Sequence, residues 1–236
     1  MTHALYGPDL AHVHDVAFGG WAREAAPFVL ARLREAKIED GLVVDLGCGS
    51  GIWAAELLSA GYEVLGVDAS AEMLALARSR APGAKLRQGS LHDVELPPCA
   101  AITAIGECVN YGGPPSLELL FRRAHAALEP DGLLVFDAAA PGREPELHRR
   151  ARHEGEGWVM RLDVSEDREA RTLTRRISLA YDGRSSEEVH VLRLYERDEV
   201  VEWLEAAGFA VSCHPSYGAA RRLPGVHVYV ATRRQR

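Results

Sequence analysis

The chain has 236 residues, 47% of them hydrophobic and 26% charged, with a formal net charge of −7. That length supports one sizeable core with room for an insertion, and the negative balance argues against nucleic acid as a bulk electrostatic partner. Cys48, Cys99, Cys108 and Cys213 show no CxxC spacing, and no apolar run approaches the ~18 residues that span a membrane, so a zinc knuckle, a disulfide framework and a membrane protein are not expected.

Residues 9–18 and 21–36 read as helices; in the second, Ala25, Phe28, Val29, Leu30 and Leu33 share a face. Gly41 ends this region, and 42–46 is the first strand. A helix over 52–60 is closed by Gly61, a residue suited to the left-handed position after a helix. Strand 62–67 ends at Asp68, and Ser70 caps a helix over 71–80 that stops near Pro82-Gly83. A short strand at 84–88 follows, and Pro97-Pro98 break the chain before a fourth strand at 100–105. A helix over 116–128 and the turn Pro130-Asp131-Gly132 lead into a fifth strand at 133–136. Short apolar strands alternating with helices predict a parallel sheet covered on both faces.

The rhythm then changes. Residues 158–164, 171–181 and 187–195 read as three consecutive strands, separated by Glu166-Asp167 and by Asp182-Gly183-Arg184-Ser185. Leu173, Arg175, Ile177, Leu179 and Tyr181 alternate with Thr172, Thr174, Arg176, Ser178 and Ala180, which predicts a small antiparallel sheet with one wet face. The pairs Arg149-Arg150, Arg175-Arg176, Arg221-Arg222 and Arg233-Arg234 are expected on the solvated surface or paired with acids. A helix over 198–207, closed by Gly208, and strands at 209–214 and 226–231 resume the α/β pattern. The meander, about 155–196, is therefore expected as an insertion into one domain spanning 1–236.

The chemistry concentrates at Val43-Val44-Asp45-Leu46-Gly47-Cys48-Gly49-Ser50-Gly51. A buried strand ends in an acid, and alternate glycines turn the chain into a helix N-terminus where a ligand can touch bare backbone. Asp68 stands seventeen residues past Gly51, at the end of the second strand, where a carboxylate accepts the hydroxyls of a ribose. Together the two signals point to an adenosine-bearing cofactor. In the Gly-x-Gly-x-x-Gly fingerprint of NAD-dependent dehydrogenases the third glycine would fall at Ile52; such a dehydrogenase is the alternative.

Residues 43–51 resemble motif I of class I S-adenosylmethionine-dependent methyltransferases. Gly66-Val67-Asp68-Ala69-Ser70, with Met73-Leu74 and Ala77-Arg78, resembles their second motif, and Gly89-Ser90-Leu91 is similar to the segment that meets the adenine edge. Residues 128–136 resemble the turn and fifth strand, with Asp131 where a glycine is usual. Ala104-Ile105-Gly106-Glu107-Cys108-Val109-Asn110-Tyr111, together with the insertion, resembles a subset that modifies small molecules. The resemblance implies an α/β, Rossmann-like, seven-stranded, mostly parallel sheet with its last strand antiparallel and helices on both faces. It also implies an antiparallel β insertion roofing the cleft and an N-terminal helical lid, about 9–36. The implied cofactor is S-adenosylmethionine, held by Asp45, Gly47, Cys48, Gly49, Gly51, Asp68, Ala69, Met73, Ser90, Leu91, Gly106 and Glu107. Asp45 would meet the ammonium of its methionine part, directly or through water.

Methyl transfer from a sulfonium is an in-line displacement that rests on alignment, so no fixed catalytic motif is required. A general base helps where the acceptor is a hydroxyl. The catalytic candidates are Glu107, His190 and Tyr195. On the acceptor side they are His14, Asn110, Tyr111, His190 and Tyr217, with Tyr6 as a further contact from the lid. His190 is the best-placed histidine for a base, because an unperturbed imidazole titrates near neutrality. Phe18 and Trp21 are expected in the core. His12 and His14 do not share a helix face and lack a third ligand, so no metal site is expected. The expected partner is a small-molecule methyl acceptor, without nucleic acid or membrane, in a reduced cytoplasmic setting; a homodimer is compatible with the sequence. A non-catalytic sensor of the cofactor is the second alternative.

Overall fold

The computed structural model describes residues 5–234. Along the chain come α1 (Pro8–Phe18), α2 (Gly20–Glu35), β1 (Leu42–Leu46), α3 (Ile52–Ser59), β2 (Glu63–Asp68), α4 (Ala71–Arg80), β3 (Lys85–Gln88) and β4 (Cys99–Ala104). A 3-10 turn (Cys108–Tyr111), α5 (Pro114–Ala127) and β5 (Leu128–Ala139) follow. Next are β6 (His148–Gly155), β7 (Trp158–Asp167), β8 (Thr172–Tyr181) and β9 (Arg184–Arg193), then α6 (Arg197–Ala206), β10 (Phe209–His214) and β11 (Val226–Arg233).

The main sheet has the strand order β10-β11-β5-β4-β1-β2-β3. Neighbours from β3 to β5 run parallel, and β11 is antiparallel to both β5 and β10, as expected. The apolar strands are buried on both faces. On one, Val44, Leu46, Ile102 and Phe136 pack against Leu117 and Phe121 of α5 and Leu204 of α6. On the other, Val43, Ala101 and Val135 pack against Val29 and Leu33 of α2 and Trp53 and Leu57 of α3. Each fully buried large side chain contributes about 1.5–3 kcal/mol. Because β4 lies beside β1, on the side away from β2, the sheet reverses its winding there, and a crevice opens at the carboxyl ends of β1 and β4.

The second sheet is antiparallel throughout, in the order β6-β7-β8-β9. The sequence predicts three strands here, and the structure has four. β6 reads His-Arg-Arg-Ala-Arg-His-Glu-Gly and is exposed along most of its length, so it carries no apolar alternation to betray it. It is a strand because its backbone completes the ladder to β7, from His148 opposite Ser165 to Gly155 opposite Trp158. The insertion accordingly begins at His148 and not near 155.

The inner face of this sheet packs on α1: Trp158, Met160, Ile177 and Leu179 meet Leu10 and Val13. The two N-terminal helices therefore separate. α1 forms a roof with the second sheet, whereas α2 joins the layer against the main sheet. No helix among the described residues is long and apolar enough to cross a membrane.

Candidate active site

A cavity of about 1100 Å³ lies between the carboxyl ends of β1, β2 and β4, helix α1 and the inner face of the second sheet. Its first half is built by the glycine turn. Gly47 and Gly51 have φ of 69° and 77°, left-handed values that glycine tolerates and other residues resist. At Gly51 a Cβ would stand 3.0 Å from Ala77 of α4, so this glycine sets the approach of two helices and does not line the cavity. Asp68 ties the turn to the next one: its carboxylate accepts the N–H of Gly49 and of Ser70, each at 2.8 Å. Burial pushes its carboxyl up in spite of these bonds. Ala69, Met73, Ser90 and Leu91 line the wall beside it.

Asp45 is 2% exposed. Its Oδ1 accepts from Thr103 Oγ1 at 3.0 Å, and its Oδ2 has no partner. Burial pushes this carboxyl up to about 7. A carboxylate oxygen left unpaired in the interior is costly, and this one belongs to a residue that lines the cavity.

The second half begins where β4 ends at Gly106-Glu107. Glu107 has φ 59°, and Asp137, at the end of β5, holds this turn by accepting the N–H groups of Gly106 and Glu107. Asp137 also accepts from the Tyr217 hydroxyl at 2.9 Å and from Trp21 Nε1 at 3.3 Å. Burial drives its carboxyl up to about 6. The Glu107 carboxylate, itself buried, sits between Arg143 Nε at 2.5 Å and Arg175. Burial alone would raise it, but the Arg175 and Arg143 guanidiniums outweigh burial and hold it below the usual range.

Facing this group is a chain of polar side chains. Tyr111 Oη lies 2.9 Å from His190 Nδ1, and His190 Nε2 lies 2.9 Å from Glu188 Oε2. Burial pushes the Glu188 carboxyl up, but its hydrogen bonds with His190, Gly7 and Tyr6 outweigh that and keep it below its ordinary value. An ionised carboxylate only accepts, so Nε2–H donates to Glu188, and in the neutral ring Nδ1 is then the acceptor open to the Tyr111 hydroxyl. Tyr6 Oη is 3.4 Å from Tyr111 Oη, and the Tyr6 ring stands edge-on to His190 and His14 at 4.8 and 5.0 Å. Burial first, then Arg175 and His190, pull His14 down to about 4, so it is neutral at pH 7. Met160, Leu162, Val164, Leu173 and Ile177 supply an apolar wall.

The cavity lining includes every expected cofactor-side residue except Gly51, and on the acceptor side His14, Tyr111 and His190. Three expectations are corrected. Asn110 is fully buried and donates from Nδ2 to the carbonyls of Ala139 (2.9 Å) and Arg193 (2.6 Å) while accepting from Ala139 N–H (2.9 Å). Tyr217 is spent on Asp137, behind the wall. Tyr195, two residues past the end of β9, packs its ring on Trp203 within the main core and donates its hydroxyl to Gly112. Phe18 and Trp21 pack against the core clusters as expected and line the cavity as well.

Sequence reasoning missed Arg143, Arg175 and Glu188. Arg143 lies in a loop and gives no signal. Arg175 did give one: it shares the inward parity of Leu173, Ile177 and Leu179, and of the two places expected for the arginine pairs it takes the acid-paired one, on Glu107. Glu188 likewise has the parity of buried His190 and Leu192.

Comparison with known proteins agrees with this geometry. A family model described as a methyltransferase domain matches residues 43–132. The trans-aconitate 2-methyltransferase of Paracidovorax citrulli is 30% identical over 190 residues, 76% of this chain and 72% of that protein. A dTDP-3-amino-3,6-dideoxy-alpha-D-glucopyranose N,N-dimethyltransferase of Streptomyces fradiae is 28% identical, with 93% of this chain and 91% of that protein covered. Among solved structures, the amino pentose methyltransferase CalS10 of Micromonospora echinaspora, with S-adenosylmethionine bound, aligns with a TM-score of 0.76 and 25% identity, over 94% of this chain and 96% of that one. Both the dehydrogenase and the sensor alternatives fall. The chain belongs to the S-adenosylmethionine-dependent methyltransferases and transfers the methyl group of that cofactor to a small-molecule acceptor.

Proposed function

We propose that the acceptor atom is an amine nitrogen of a small polar molecule, and that the cavity divides into a donor half around Asp45 and Asp68 and an acceptor half around Tyr111, Arg175 and His190. The donor half fits the cofactor. The unpartnered Oδ2 of Asp45 suits the ammonium of a methionine moiety, and Asp68, flanked by the backbone of Gly49 and Ser70, suits a ribose. Gly47, Cys48 and Gly49 offer backbone; Ala69, Met73, Ser90 and Leu91 offer the walls of an adenine slot; Gly106 and Glu107 close the side towards the acceptor. Gly51 acts from behind, by setting the turn. When bound, S-adenosylmethionine supplies an activated methyl on a sulfonium, which a nitrogen lone pair displaces in line.

The observation that carries the choice of a proton-releasing acceptor, an amine or a hydroxyl, over a carboxylate is the pair of Tyr111 and buried His190; the amino-sugar names of the relatives then favour the amine. Methylating an amine releases a proton, and Tyr111 with His190 Nδ1 can take it. Methylating a carboxylate, the second reading raised by the trans-aconitate relative, releases none and gives this pair no work. Arg221 and Arg222, exposed at the cavity rim, suit an acceptor that carries negative charge, and the net charge of −7 argues against nucleic acid as that acceptor.

The test is methyl transfer from labelled S-adenosylmethionine to dTDP-3-amino-3,6-dideoxy-α-D-glucopyranose and, separately, to trans-aconitate. The amine is expected to be methylated and the carboxylate not. His190→Gln is expected to lower kcat on the amine about 10²-fold with KM little changed. Transfer to trans-aconitate alone, or full activity of the variant, would overturn the reading.

A further inference from the structure

The chain just before α1 runs across the cavity and touches both halves. Tyr6 C=O accepts from Ser70 Oγ at 2.9 Å, beside Asp68 on the donor side. Tyr6 N–H donates to Glu188 Oε2 and Gly7 N–H to Glu188 Oε1, both at 2.8 Å. The same Glu188 Oε2 accepts His190 Nε2–H. Three donors from two distant parts of the chain thus converge on one carboxylate, whose side chain is 14% exposed.

We propose that Glu188 is a positioning residue through which closure of this N-terminal strap over the cofactor orients His190 for proton acceptance. The inference rests on the reading of His190 given above and adds to it what sets that histidine. With the strap down, two N–H groups at the start of α1 fix the carboxylate, and the fixed carboxylate selects the Nε2–H tautomer. That leaves the Nδ1 lone pair on Tyr111. With the strap lifted, Glu188 loses both amide donors and the Tyr6 ring leaves His190, so water competes for the carboxylate and the opposite tautomer, which cannot accept at Nδ1, becomes accessible. During transfer the amine proton passes to Tyr111 Oη, the Tyr111 hydroxyl proton passes to His190 Nδ1, and the imidazolium is paired with the Glu188 carboxylate. Reopening exposes that pair to water, so proton loss and product exit share one gate.

The experiment is NMR of uniformly ¹⁵N-labelled protein with S-adenosylhomocysteine, which needs no acceptor. His190 is expected as the Nε2–H tautomer, and the ligand is expected to slow exchange of the Tyr6 and Gly7 amides about tenfold. Glu188→Gln is expected to abolish the tautomer preference and this protection while the ligand still binds. A variant that keeps both overturns the proposal. A second arm follows kcat for the amine: the Glu188→Gln/His190→Gln double variant should be no slower than His190→Gln alone, and additive losses overturn the positioning role. Undiminished turnover by His190→Gln would sink the proton-acceptor reading, while the NMR arm still decides whether Glu188 couples strap to imidazole.

Discussion

Asp45 and Glu107 are both buried carboxylates lining one cavity, yet their proton affinities move in opposite directions. The difference lies in what each oxygen touches. Glu107 has two guanidiniums, and these outweigh its burial. Asp45 has only a threonine hydroxyl and an unpartnered oxygen, so burial wins and its carboxyl rises to about 7. Below that value the folded protein holds Asp45 neutral. A ligand ammonium pairs with the charged form, so binding must expel the proton, and affinity should rise with pH and level off above about 7. S-adenosylhomocysteine titrated calorimetrically should bind up to ~tenfold more weakly for each pH unit below that point. Asp45→Asn should bind weakly and without this slope; a slope that survives in Asp45→Asn would assign it to another group, such as Asp137. Asp45 and Asp68 were legible in the sequence because strand-end acids around a glycine turn are a local pattern. The charge state of Asp45 was not, because it depends on Thr103, on a different strand.

At the scale of elements, the second sheet is held to the main one through the 3-10 turn. Asn110 makes both bonds of an amide pair with Ala139 at the end of β5 and a further one to Arg193 at the end of β9. The side chain is fully buried, so Asn110→Ala strands the Ala139 N–H and the Arg193 carbonyl, the Ala139 carbonyl still accepting from the Tyr195 N–H. The expected loss is about 2–4 kcal/mol, read as a lower urea midpoint, with Asn110→Asp no better because a carboxylate would face two carbonyls. A loss under ~1 kcal/mol would show that the two sheets do not depend on this residue. Strands with a buried face were readable from alternation, as β7 to β9 were. β6 was not, because an edge strand exposed along most of its length and without apolar alternation is defined by its ladder alone. The asparagine weld was unreadable for a related reason: its partners are main-chain atoms, which have no sequence identity.

For the whole molecule, the roof is clasped from two sides. Besides the contact at Glu188, Asp15 of α1 takes both nitrogens of Arg80 from α4 at 2.8 Å and the Ser50 hydroxyl of the glycine turn at 2.5 Å. Arg80 also reaches the Ser50 carbonyl at 2.6 Å. Bidentate pairing of partly buried groups exceeds an ordinary surface ion pair. Arg80→Met should therefore loosen α1 without unfolding the main sheet. Limited proteolysis should cut the first twenty residues several-fold faster, and S-adenosylhomocysteine should restore part of the protection. Unchanged cleavage would mean that α1 is held by its apolar face alone. The sequence by itself determined the seven-stranded sheet, the glycine turn and the acids beside it, because apolar periodicity, glycine spacing and strand ends are properties of short segments. Only the tertiary structure decided the acceptor half. Its members come from the N-terminal strap, the 3-10 turn, β8 and β9, and the bond from Tyr6 to Glu188 closes a separation of 182 residues; no local pattern encodes a meeting that packing alone brings about.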